Sequence, residues 1–455
     1  MPETTLTVLE PATEAVLSEL PRADAEDVDR AVARAKAAFP AWRAMAPSDR
    51  AALLRRLAET ITDHREELAQ LEARNAGKPI GDARGEMGMV AETIGYYAGA
   101  PERLLGDSIP VTGGHAWTVR EPLGVVGLIV PWNFPLVIAG WKLGPALAAG
   151  NTVVLKPAEL TPLTALRFGE LALEAGLPEG VVNVVAGPGS VCGRRLVEHP
   201  DVAKIAFTGS TSVGRSIAAG AASTIKRVTL ELGGKSPNII FADADLEAAA
   251  ASAPGAVFGN AGQDCCARSR ILVQASALDD FMAVLAAAVT GIRVGDPLDP
   301  ETEMGPLISA GQRESVSSFV PEGAPVAIQG SAPEGPGYWF APTVLCPVAP
   351  QDRAAREEIF GPVAVVIPFT DEEEAVTLAN DTIYGLSGSI WTRDGARALR
   401  VARAIDAGVL SINSNTSVRV ATPFGGFKQS GYGRELGPHA LDAYTEVKSI
   451  FFATS

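Results

Sequence analysis

The sequence predicts an α/β protein with doubly wound, largely parallel sheets. From residue 123 to about 242, short apolar runs alternate with segments of helical periodicity, the order that a parallel sheet flanked by helices requires. The runs are continuously apolar, as in strands that are buried on both faces. Similar runs from residue 239 onward predict a second α/β unit. A length of 455 residues allows about three folding units.

The first hundred residues predict helices. Segment 25–39 carries apolar residues at helical spacing, and a second helix is expected from about residue 48 to residue 61. Gly77-Lys78-Pro79 ends this run. Residues 107–122 differ, because Gly113-Gly114 places a turn between two extended pieces and predicts a β-hairpin.

The individual strands follow from the same patterns. The expected strands of the first unit are 125–130, 152–156, 181–185, 204–207 and 227–232, with helices at 135–149 and 163–175. Those of the second unit are 239–241, 271–273, 363–369 and 409–412. The C-terminal stretch 443–452 alternates and predicts an edge strand.

Composition narrows the class of protein. Hydrophobic residues make up 47% and charged residues 20%, which is typical of a globular chain. The formal net charge of -15 repels phosphate backbones and anionic lipids, which argues against nucleic-acid and membrane partners. The acidic first ten residues do not suit a signal peptide. Four cysteines without a CxxC pair, and four histidines, predict no metal site, no disulfide framework and a cytoplasmic location.

Cys265 lies in the segment Gly262-Gln263-Asp264-Cys265-Cys266-Ala267. A single buried cysteine is most often an inert small apolar residue. The polar and flexible residues around Cys265 instead predict a loop at a surface or cleft. A thiolate in such a place could attack a carbonyl group, provided that its pKa is lowered.

Glu231 lies between two leucines at the end of an expected inner strand. Burial there raises the pKa of a carboxyl group toward neutrality, which suits a general base. A buried ion pair, or a strand end turned toward solvent, is the alternative interpretation.

Asn133 lies in Pro131-Trp132-Asn133-Phe134-Pro135, between an expected strand and an expected helix. Its amide could donate a hydrogen bond to a developing oxyanion. A simple strand-to-helix turn is the alternative, since Pro and Asn are common in such turns.

Nucleotide binding is indicated by three weaker segments. Gly187-Pro188-Gly189-Ser190 begins like a dinucleotide fingerprint, but residue 192 is Cys where the third glycine belongs. In segment 207–214, Ser210 and the start of a helix could hold a pyrophosphate. Lys156-Pro157-Ala158-Glu159 follows another strand and offers a carboxylate for ribose hydroxyls.

Taken together, seven motifs occur in a fixed order along the chain. They are PWNFP (131–135), KPAE (156–159), FTGSTSVG (207–214), LELGGKSPNIIF (230–241), GQDC (262–265), EIFGPV (358–363) and PFGGFKQSGYGRELG (423–437). In these motifs, and over nearly its whole length, the sequence resembles the aldehyde dehydrogenase superfamily.

The resemblance implies three structural parts. A Rossmann-type NAD-binding domain is expected at 1–105 and 124–232, and an α/β catalytic domain at 233–430. A β oligomerisation element combines 106–123 with 431–455. The expected assembly is a homodimer or homotetramer.

The resemblance also implies a mechanism. Cys265, rather than Cys266, attacks an aldehyde, and Asn133 with the backbone N–H of Cys265 stabilises the oxyanion. Hydride passes to the nicotinamide, and Glu231 activates the water that hydrolyses the thioester. Lys142 and Glu435 match positions proposed to relay protons. The presence of Glu231 favours release of a free acid over transfer to coenzyme A.

Cofactor and substrate positions follow by the same resemblance. The implied cofactor contacts are Trp132, Lys156, Glu159, Gly187, Phe207, Gly209, Ser210, Val213, Leu232, Glu358 and Phe360. NAD is expected to be preferred over NADP, because Glu159 would repel a 2′-phosphate. The implied substrate contacts are Phe134, Ile138, Trp141, Asp264, Val418, Arg419 and Phe424, with Gly259 widening the tunnel.

Two features point toward different substrates. Asp264 suits an amino-aldehyde or a γ-glutamylamino-aldehyde, because a carboxylate attracts an ammonium group. Arg419 favours a substrate that carries a carboxylate, and a plain aliphatic or aromatic aldehyde is a further candidate. A thiol esterase and a non-catalytic binding protein of the same fold are the alternative functions.

Overall fold

The computed structural model describes residues 4–416 and 418–454. The strands are β1 (Thr5–Leu9), β2 (Val16–Pro21), β3 (Ser108–Val111), β4 (Gly114–Pro122), β5 (Val125–Ile129), β6 (Thr152–Lys156), β7 (Val182–Val184), β8 (Val202–Thr208), β9 (Arg227–Glu231), β10 (Pro237–Ile240), β11 (Arg270–Gln274), β12 (Val326–Gln329), β13 (Thr343–Leu345), β14 (Val363–Phe369), β15 (Tyr384–Gly385), β16 (Ser387–Trp391), β17 (Val409–Ile412), β18 (Phe427–Lys428), β19 (Gly431–Tyr432) and β20 (Thr445–Ala453). The α-helices are α1 (Ala25–Ala44), α2 (Pro47–Asp63), α3 (Arg65–Ala76), α4 (Ile80–Ala98), α5 (Pro135–Ala148), α6 (Leu163–Glu174), α7 (Arg194–Glu198), α8 (Thr211–Ala222), α9 (Leu246–Phe258), α10 (Leu278–Thr290), α11 (Ala310–Ser317), α12 (Arg353–Arg356), α13 (Glu372–Asn380) and α14 (Gly395–Ala404). Over these described ranges, no helix is both long enough and apolar enough to cross a membrane.

The first large sheet has six strands in the order β19-β9-β8-β5-β6-β7. Strands β5 to β9 are parallel, and the short β19 pairs antiparallel with β9. Every side chain of β5 is buried. Val125 belongs to the same core as Val28 of α1, whereas Val126 belongs to the same core as Leu143 of α5. Helices therefore cover both faces, which explains the continuous apolar runs and confirms the predicted doubly wound unit.

The second large sheet has seven strands in the order β12-β13-β14-β11-β10-β16-β17. All of its pairings are parallel except that of β12 with β13. Its core joins Leu272 and Val365 of the sheet to Phe281 of α10. The predicted second α/β unit is confirmed.

A separate three-stranded sheet has the order β20-β4-β3 and is antiparallel throughout. The hairpin that Gly113-Gly114 predicts joins β3 to β4, and β20 lies at the edge as expected. Val447, Phe451 and Phe452 of β20 are between 57% and 61% exposed. This sheet therefore presents large apolar side chains to its surroundings.

The N-terminal part of the fold differs from the prediction. Strands β1 and β2 near the N-terminus form an antiparallel hairpin, where the sequence predicted a helix. Leu6 and Val8 are buried while their neighbours are exposed, so Thr5–Leu9 has the two-residue period of a strand.

The sequence patterns do not predict strands β12, β13 and β16 of the seven-stranded sheet, although β16 lies between β10 and β17. Its sequence SGSIW lacks an apolar run, yet all five residues are buried. Ser387 Oγ lies 3.0 Å from Ser236 Oγ, and Ser389 Oγ lies 3.1 Å from Ser411 Oγ. Paired hydroxyl groups allow this polar strand to be buried.

The parallel strands direct their carboxyl ends toward one region of the molecule. Asn133 follows β5, Thr208 ends β8 and Glu231 ends β9. Ligands of open α/β sheets bind outside the carboxyl ends of the strands. This is where the candidate site lies.

Candidate active site

A cavity of about 300 Å³ lies at the carboxyl ends of β5, β8 and β9. The residues that line it are Pro131, Trp132, Asn133, Phe134, Ile138, Thr208, Gly209, Ser210, Glu231, Leu232, Gly233, Cys265, Gln312, Ser315, Glu358, Ile359 and Phe360. The structure thus brings Cys265, Glu231 and Asn133 together from three separate parts of the chain.

The loop that carries Cys265 has an unusual backbone. Asn260, Ala261 and Gly262 have φ values of 51°, 54° and 70°, the left-handed region that favours glycine. A Cβ at Gly262 would lie 2.1 Å from the backbone oxygen of Gly361. Gly262 is therefore required for the turn that brings Cys265 to the cavity.

The Cys265 thiol is free and partly exposed, whereas Cys266 is buried. The backbone N–H of Cys266 donates to Asp264 Oδ1 at 2.8 Å, and of these two cysteines Cys265 is the one that lines the cavity. A hydrogen bond with Cys266, and then burial, raise the pKa of the Cys265 thiol above its ordinary value, which is opposite to the lowered pKa expected from the sequence for attack on a carbonyl group. That Cys265 rather than Cys266 is the nucleophile stays a prediction.

Glu231 is 4% exposed, and neither of its carboxylate oxygens has a hydrogen-bond partner among the described residues. Burial, followed by the nearby Glu435 carboxylate, raises the pKa of Glu231 well above its ordinary value. Lys142 acts in the opposite direction. Since buried polar groups are normally satisfied, an unpaired carboxylate in a cavity indicates a chemical task.

Lys142 and Glu435 form a fully buried ion pair within electrostatic reach of Glu231. Lys142 Nζ also donates to Thr208 Oγ1 at 2.7 Å. The second Glu435 oxygen has no partner in the described part of the chain. The arrangement leaves one carboxylate oxygen available next to the buried Glu231.

Asn133 is held by the loop that carries Cys265. Its Nδ2 donates to the backbone oxygen of Gln263 at 2.9 Å. The backbone oxygen of Asn133 in turn accepts from Asn260 Nδ2 at 2.9 Å. One amide proton of Asn133 is used in this way, and the amide group still lines the cavity beside Cys265.

A second cleft of about 900 Å³ adjoins the cavity and shares Trp132, Gly209 and Ser210 with it. The predicted cofactor residues that line this cleft are Trp132, Lys156, Glu159, Phe207, Gly209, Ser210 and Val213. Leu232, Glu358 and Phe360 line the smaller cavity. A volume of this size suits a nucleotide, and the predicted residues divide between its two parts.

The polar groups of the cleft also fit a nucleotide. Ser210 caps α8 by accepting from Val213 N at 3.4 Å, which leaves the other N–H groups of the first turn for a phosphate. Apolar Val213 is 47% exposed on the cleft wall, where an adenine could cover it. Burial lowers the pKa of Lys156.

Gly187 does not line the cleft. A Cβ at Gly187 would lie 2.4 Å from the backbone oxygen of Ala23, so this glycine permits close packing below the cleft. Gly189 and Ser190, two and three residues later, line the cleft in its place. The cofactor contact expected for Gly187 is therefore not found in the lining of the cleft.

Glu358 and Phe360 come from the loop before β14. Glu358 Oε1 accepts from Gly234 N at 2.9 Å, and burial raises the pKa of Glu358 to about 7. The rings of Phe360 and Trp132 meet edge-to-face, with centroids 5.2 Å apart. These contacts join the two sides of the cavity.

Comparison with known proteins now identifies the family. The model of the aldehyde dehydrogenase family matches residues 1–450. The chain belongs to the aldehyde dehydrogenase family. The NADP/NAD-dependent aldehyde dehydrogenase PuuC of Escherichia coli K12 is 45% identical over 459 residues, covering 99% of this chain and 92% of PuuC. Phenylacetaldehyde dehydrogenase of Pseudomonas fluorescens is 46% identical over 465 residues, covering 99% and 93%.

The fold agrees with this family. An NAD+ complex of an aldehyde dehydrogenase from Bacillus cereus superposes with a TM-score of 0.97 at 46% identity, covering 99% of this chain and 94% of that one. The predictions of the family, of the aldehyde dehydrogenase fold and of an enzyme of this type are confirmed. The domain boundaries expected from the sequence stay a prediction.

The expected aldehyde-binding residues fall into two groups. Phe134 and Ile138 line the cavity, whereas the other expected residues do not border it. The Trp141 and Phe424 rings pack 5.1 Å apart, and Val418 is partly buried against the same core.

Arg419 lies on the surface and donates from Nη1 to the Val418 oxygen at 2.7 Å. A Cβ at Gly259 would meet no atom within 4 Å, so there is free space beside the backbone at this glycine. The aldehyde tunnel expected from the resemblance therefore stays a prediction.

Some lining residues were not predicted from the sequence. Thr208, Gln312, Ser315 and Ile359 border the cavity. Gln312 Nε2 donates to the backbone oxygen of Phe360 at 2.8 Å. Gln312 and Ser315 lie on α11, a polar helix with no motif, so nothing in the sequence pointed to them.

One cluster bears on the predicted absence of a metal. The ligand atoms of Asp264, Cys265 and Cys266 lie within 4.8 Å of one another. Asp264 Oδ1 is already engaged by the N–H of Cys266. The absence of a metal remains a prediction from the sequence.

Proposed function

We propose that the chain catalyses the NAD(P)-dependent oxidation of an aldehyde to a carboxylic acid, through a thioester on Cys265 that water hydrolyses with Glu231 as general base. One observation carries the proposal: a free thiol and an unpaired buried carboxylate line the same cavity of about 300 Å³. A nucleophile and a base in one cavity are what formation and hydrolysis of a thioester need.

The first step is attack on the aldehyde. The thiol proton leaves to solvent, since Cys265 is partly exposed, and the sulfur forms a bond to the carbonyl carbon. The electron pair of the C=O bond moves to oxygen. Asn133 Nδ2 and the backbone N–H of Cys265 donate hydrogen bonds to that oxygen, which stabilises its charge.

The oxidant is NAD(P), which when bound accepts the hydride that the substrate carbon gives up. Lys156, Glu159 and Ser210 would hold its adenosine and pyrophosphate part in the larger cleft. Leu232, Glu358 and Phe360 would hold the nicotinamide part. The shared residue Trp132 joins the two parts.

The last step is hydrolysis. Glu231 removes a proton from a water molecule, and the oxygen of that water attacks the thioester carbon. The C–S bond then breaks, the acid leaves and Cys265 returns as the thiolate. The Lys142–Glu435 pair lies behind Glu231 and can carry the proton onward.

A panel of aldehydes tests the proposal. Absorbance at 340 nm should rise with an aldehyde and NAD present together, and one mole of acid should form per mole of NADH. If the protein releases acid from an ester and forms no NADH with any aldehyde, the result would instead indicate a thiol esterase. No turnover of either kind would make it a binding protein.

The cofactor preference is expected to depend on Glu159. Its side chain is 39% exposed at the edge of the larger cleft, and Arg22 Nη2 lies 4.0 Å from Glu159 Oε1. A carboxylate at this place repels a 2′-phosphate, so we propose that NAD is preferred. Replacing Glu159 by Gln should lower the Kd for 2′,5′-ADP about tenfold, equivalent to about 1.4 kcal/mol, while the Kd for 5′-AMP changes less than about threefold.

Calorimetric titration of both nucleotides measures this effect directly. Glu170→Gln on the exposed face of α6 is the matched control and should leave both Kd values unchanged. An equal change for the two nucleotides in Glu159→Gln would show that this carboxylate does not distinguish the 2′-phosphate.

The proposed substrate is an amino-aldehyde or a γ-glutamylamino-aldehyde, and Asp264 is the residue on which this depends. Asp264 does not border the cavity but precedes Cys265, and its Oδ1 is engaged by the N–H of Cys266. Burial raises the pKa of its carboxyl group, whereas a nearby positive charge, such as that of Lys78, lowers it. A substrate ammonium group would pair with the second oxygen. Asp264→Asn should therefore lower kcat/KM for 4-aminobutanal about tenfold relative to hexanal.

The ratio of the two substrates is the measurement, since any disturbance of the neighbouring Cys265 affects both equally. Succinic semialdehyde provides a third comparison because Arg419 favours a carboxylate. Wild-type kcat/KM that is ten times higher for hexanal than for 4-aminobutanal would exclude the amino-aldehyde.

We also propose that the β20-β4-β3 sheet mediates a homodimer or homotetramer. The support is its exposed apolar edge strand, in which Val447, Phe451 and Phe452 are all more than half exposed. Large exposed apolar patches indicate protein interfaces. Light scattering on the native protein should give a mass of two or four subunits, and a single-subunit mass would contradict the proposal.

A further inference from the structure

Lys78 is a buried cation directly beneath the candidate active site. Its side chain is 0% exposed. Its Nζ donates to Glu86 Oε1 at 2.7 Å, to Glu86 Oε2 at 2.6 Å and to the backbone oxygen of Asn133 at 3.0 Å. The same Nζ lies 4.5 Å from the centre of the Phe134 ring.

These contacts fix one peptide group of the active site. A backbone carbonyl oxygen can accept two hydrogen bonds, and the Asn133 oxygen accepts one from Lys78 and one from Asn260. This carbonyl belongs to the peptide that joins Asn133 to Phe134. Both of these side chains line the cavity beside Cys265.

We propose that Lys78 is a positioning residue for aldehyde oxidation, which holds the Asn133–Phe134 peptide so that the Asn133 amide faces the developing oxyanion. The inference rests on the proposed function of Asn133. Lys78 touches neither substrate nor cofactor, and it acts through Asn133. A shift of about 1 Å in such a donor is enough to lower a rate about a hundredfold.

The cost of burying Lys78 supports this assignment. Removing an ammonium group from water is unfavourable, and a well-packed apolar residue is often as stabilising as a buried ion pair. The charge is nevertheless kept at the base of the cavity. Its field reaches Asp264 next to Cys265, where it opposes the effect of burial on the pKa of that carboxyl group.

A double-mutant cycle tests the proposal. Lys78→Met removes the donor while keeping an unbranched chain, and it should lower kcat about 10- to 100-fold while the Kd for NAD stays within about twofold. Asn133→Ala should lower kcat about 100-fold or more. In the Asn133→Ala background, Lys78→Met should lower kcat by less than about threefold, because the amide through which Lys78 acts is gone.

A second variant separates positioning from charge balance. Lys78→Met leaves the partly buried Glu86 carboxylate without its cation, which alone could unfold the protein. Lys78→Met combined with Glu86→Gln removes both charges, and it should restore the melting temperature while kcat stays low. The melting temperature and the Kd for NAD report folding independently of activity.

The outcomes distinguish this inference from the proposed function. Wild-type kcat in Asn133→Ala would contradict the oxyanion role itself. If Asn133→Ala lowers kcat, and Lys78→Met lowers kcat by the same factor in that background as in the wild type, the result would overturn only the inference about Lys78. Recovery of kcat in Lys78→Met/Glu86→Gln would do the same, since Lys78 would then serve only to neutralise Glu86.

Discussion

Replacing Cys265 by alanine is expected to reduce NADH formation by about 10⁴-fold or more, because the bond between sulfur and the carbonyl carbon can no longer form. The thiol lines the cavity together with the Asn133 amide and the Glu231 carboxylate. The other members of the site remain in place but have no covalent intermediate on which to act. Absorbance at 340 nm with the best aldehyde of the panel measures the loss.

Two controls accompany this variant. Cys346→Ser replaces another partly buried thiol that does not line the cavity, and it should keep the wild-type rate. The Kd for NAD in Cys265→Ala should remain close to that of the wild type, which shows that the cleft is intact. A Cys265→Ala protein that makes NADH at the normal rate would refute the proposed function.

Replacing Glu231 by glutamine is expected to stop the reaction after one turnover. Attack by Cys265 and loss of hydride precede the step that needs a base, so rapid mixing should show a burst of up to about one NADH per active site. Steady-state kcat should then fall about 10²- to 10⁴-fold. Mass spectrometry should find the acyl group on the peptide that contains Cys265.

The pH dependence provides an independent test of Glu231. Only the ionised carboxylate can accept a proton, and burial holds its pKa well above the ordinary value. Wild-type kcat should therefore rise with pH through that raised pKa, and Glu231→Gln should lose this acid limb. Glu247→Gln at the exposed start of α9 is the matched control and should keep it.

The Glu231→Gln variant should also be more stable than the wild type. The pKa of Glu231 is higher in the folded protein than in the unfolded chain, so ionisation disfavours the folded state increasingly as pH rises above the unfolded pKa. Glu231→Gln removes that cost, and its melting temperature should rise by about 1–2 °C, more at pH 8 than at pH 5. No gain at either pH, together with an unchanged acid limb, would argue against a buried ionising carboxylate.

Some elements were predictable because their local signals agree with their tertiary environment. The strand Thr152–Lys156 has the predicted bounds, since a continuous apolar run suits a strand covered on both faces. The N-terminal hairpin was missed although Thr5–Leu9 alternates in burial. Strand β16 could not be predicted, because its hydroxyl partners Ser236 and Ser411 lie far away in the sequence.

The site shows the same division. The motifs around Asn133, Glu231 and Cys265 could be found because the residue types and the order of the motifs are characteristic. The sequence indicates Lys78 only as part of a helix-ending turn, since no local pattern shows that its Nζ lies 3.0 Å from the Asn133 oxygen. Likewise, no local pattern shows that Gly187 packs closely against the backbone of Ala23 and not into the cleft.

The sequence by itself determined the family, the α/β class and the types of residue available for the chemistry, because these depend on periodicity and on motifs that are local in the chain. The tertiary structure alone decided that Glu231 has no partner in the described residues and that Lys78 lies beneath Asn133. The physical reason is that burial and hydrogen bonding between distant segments set the pKa and the orientation of a side chain. Both properties arise only when β5, β9 and the loop of Cys265 meet.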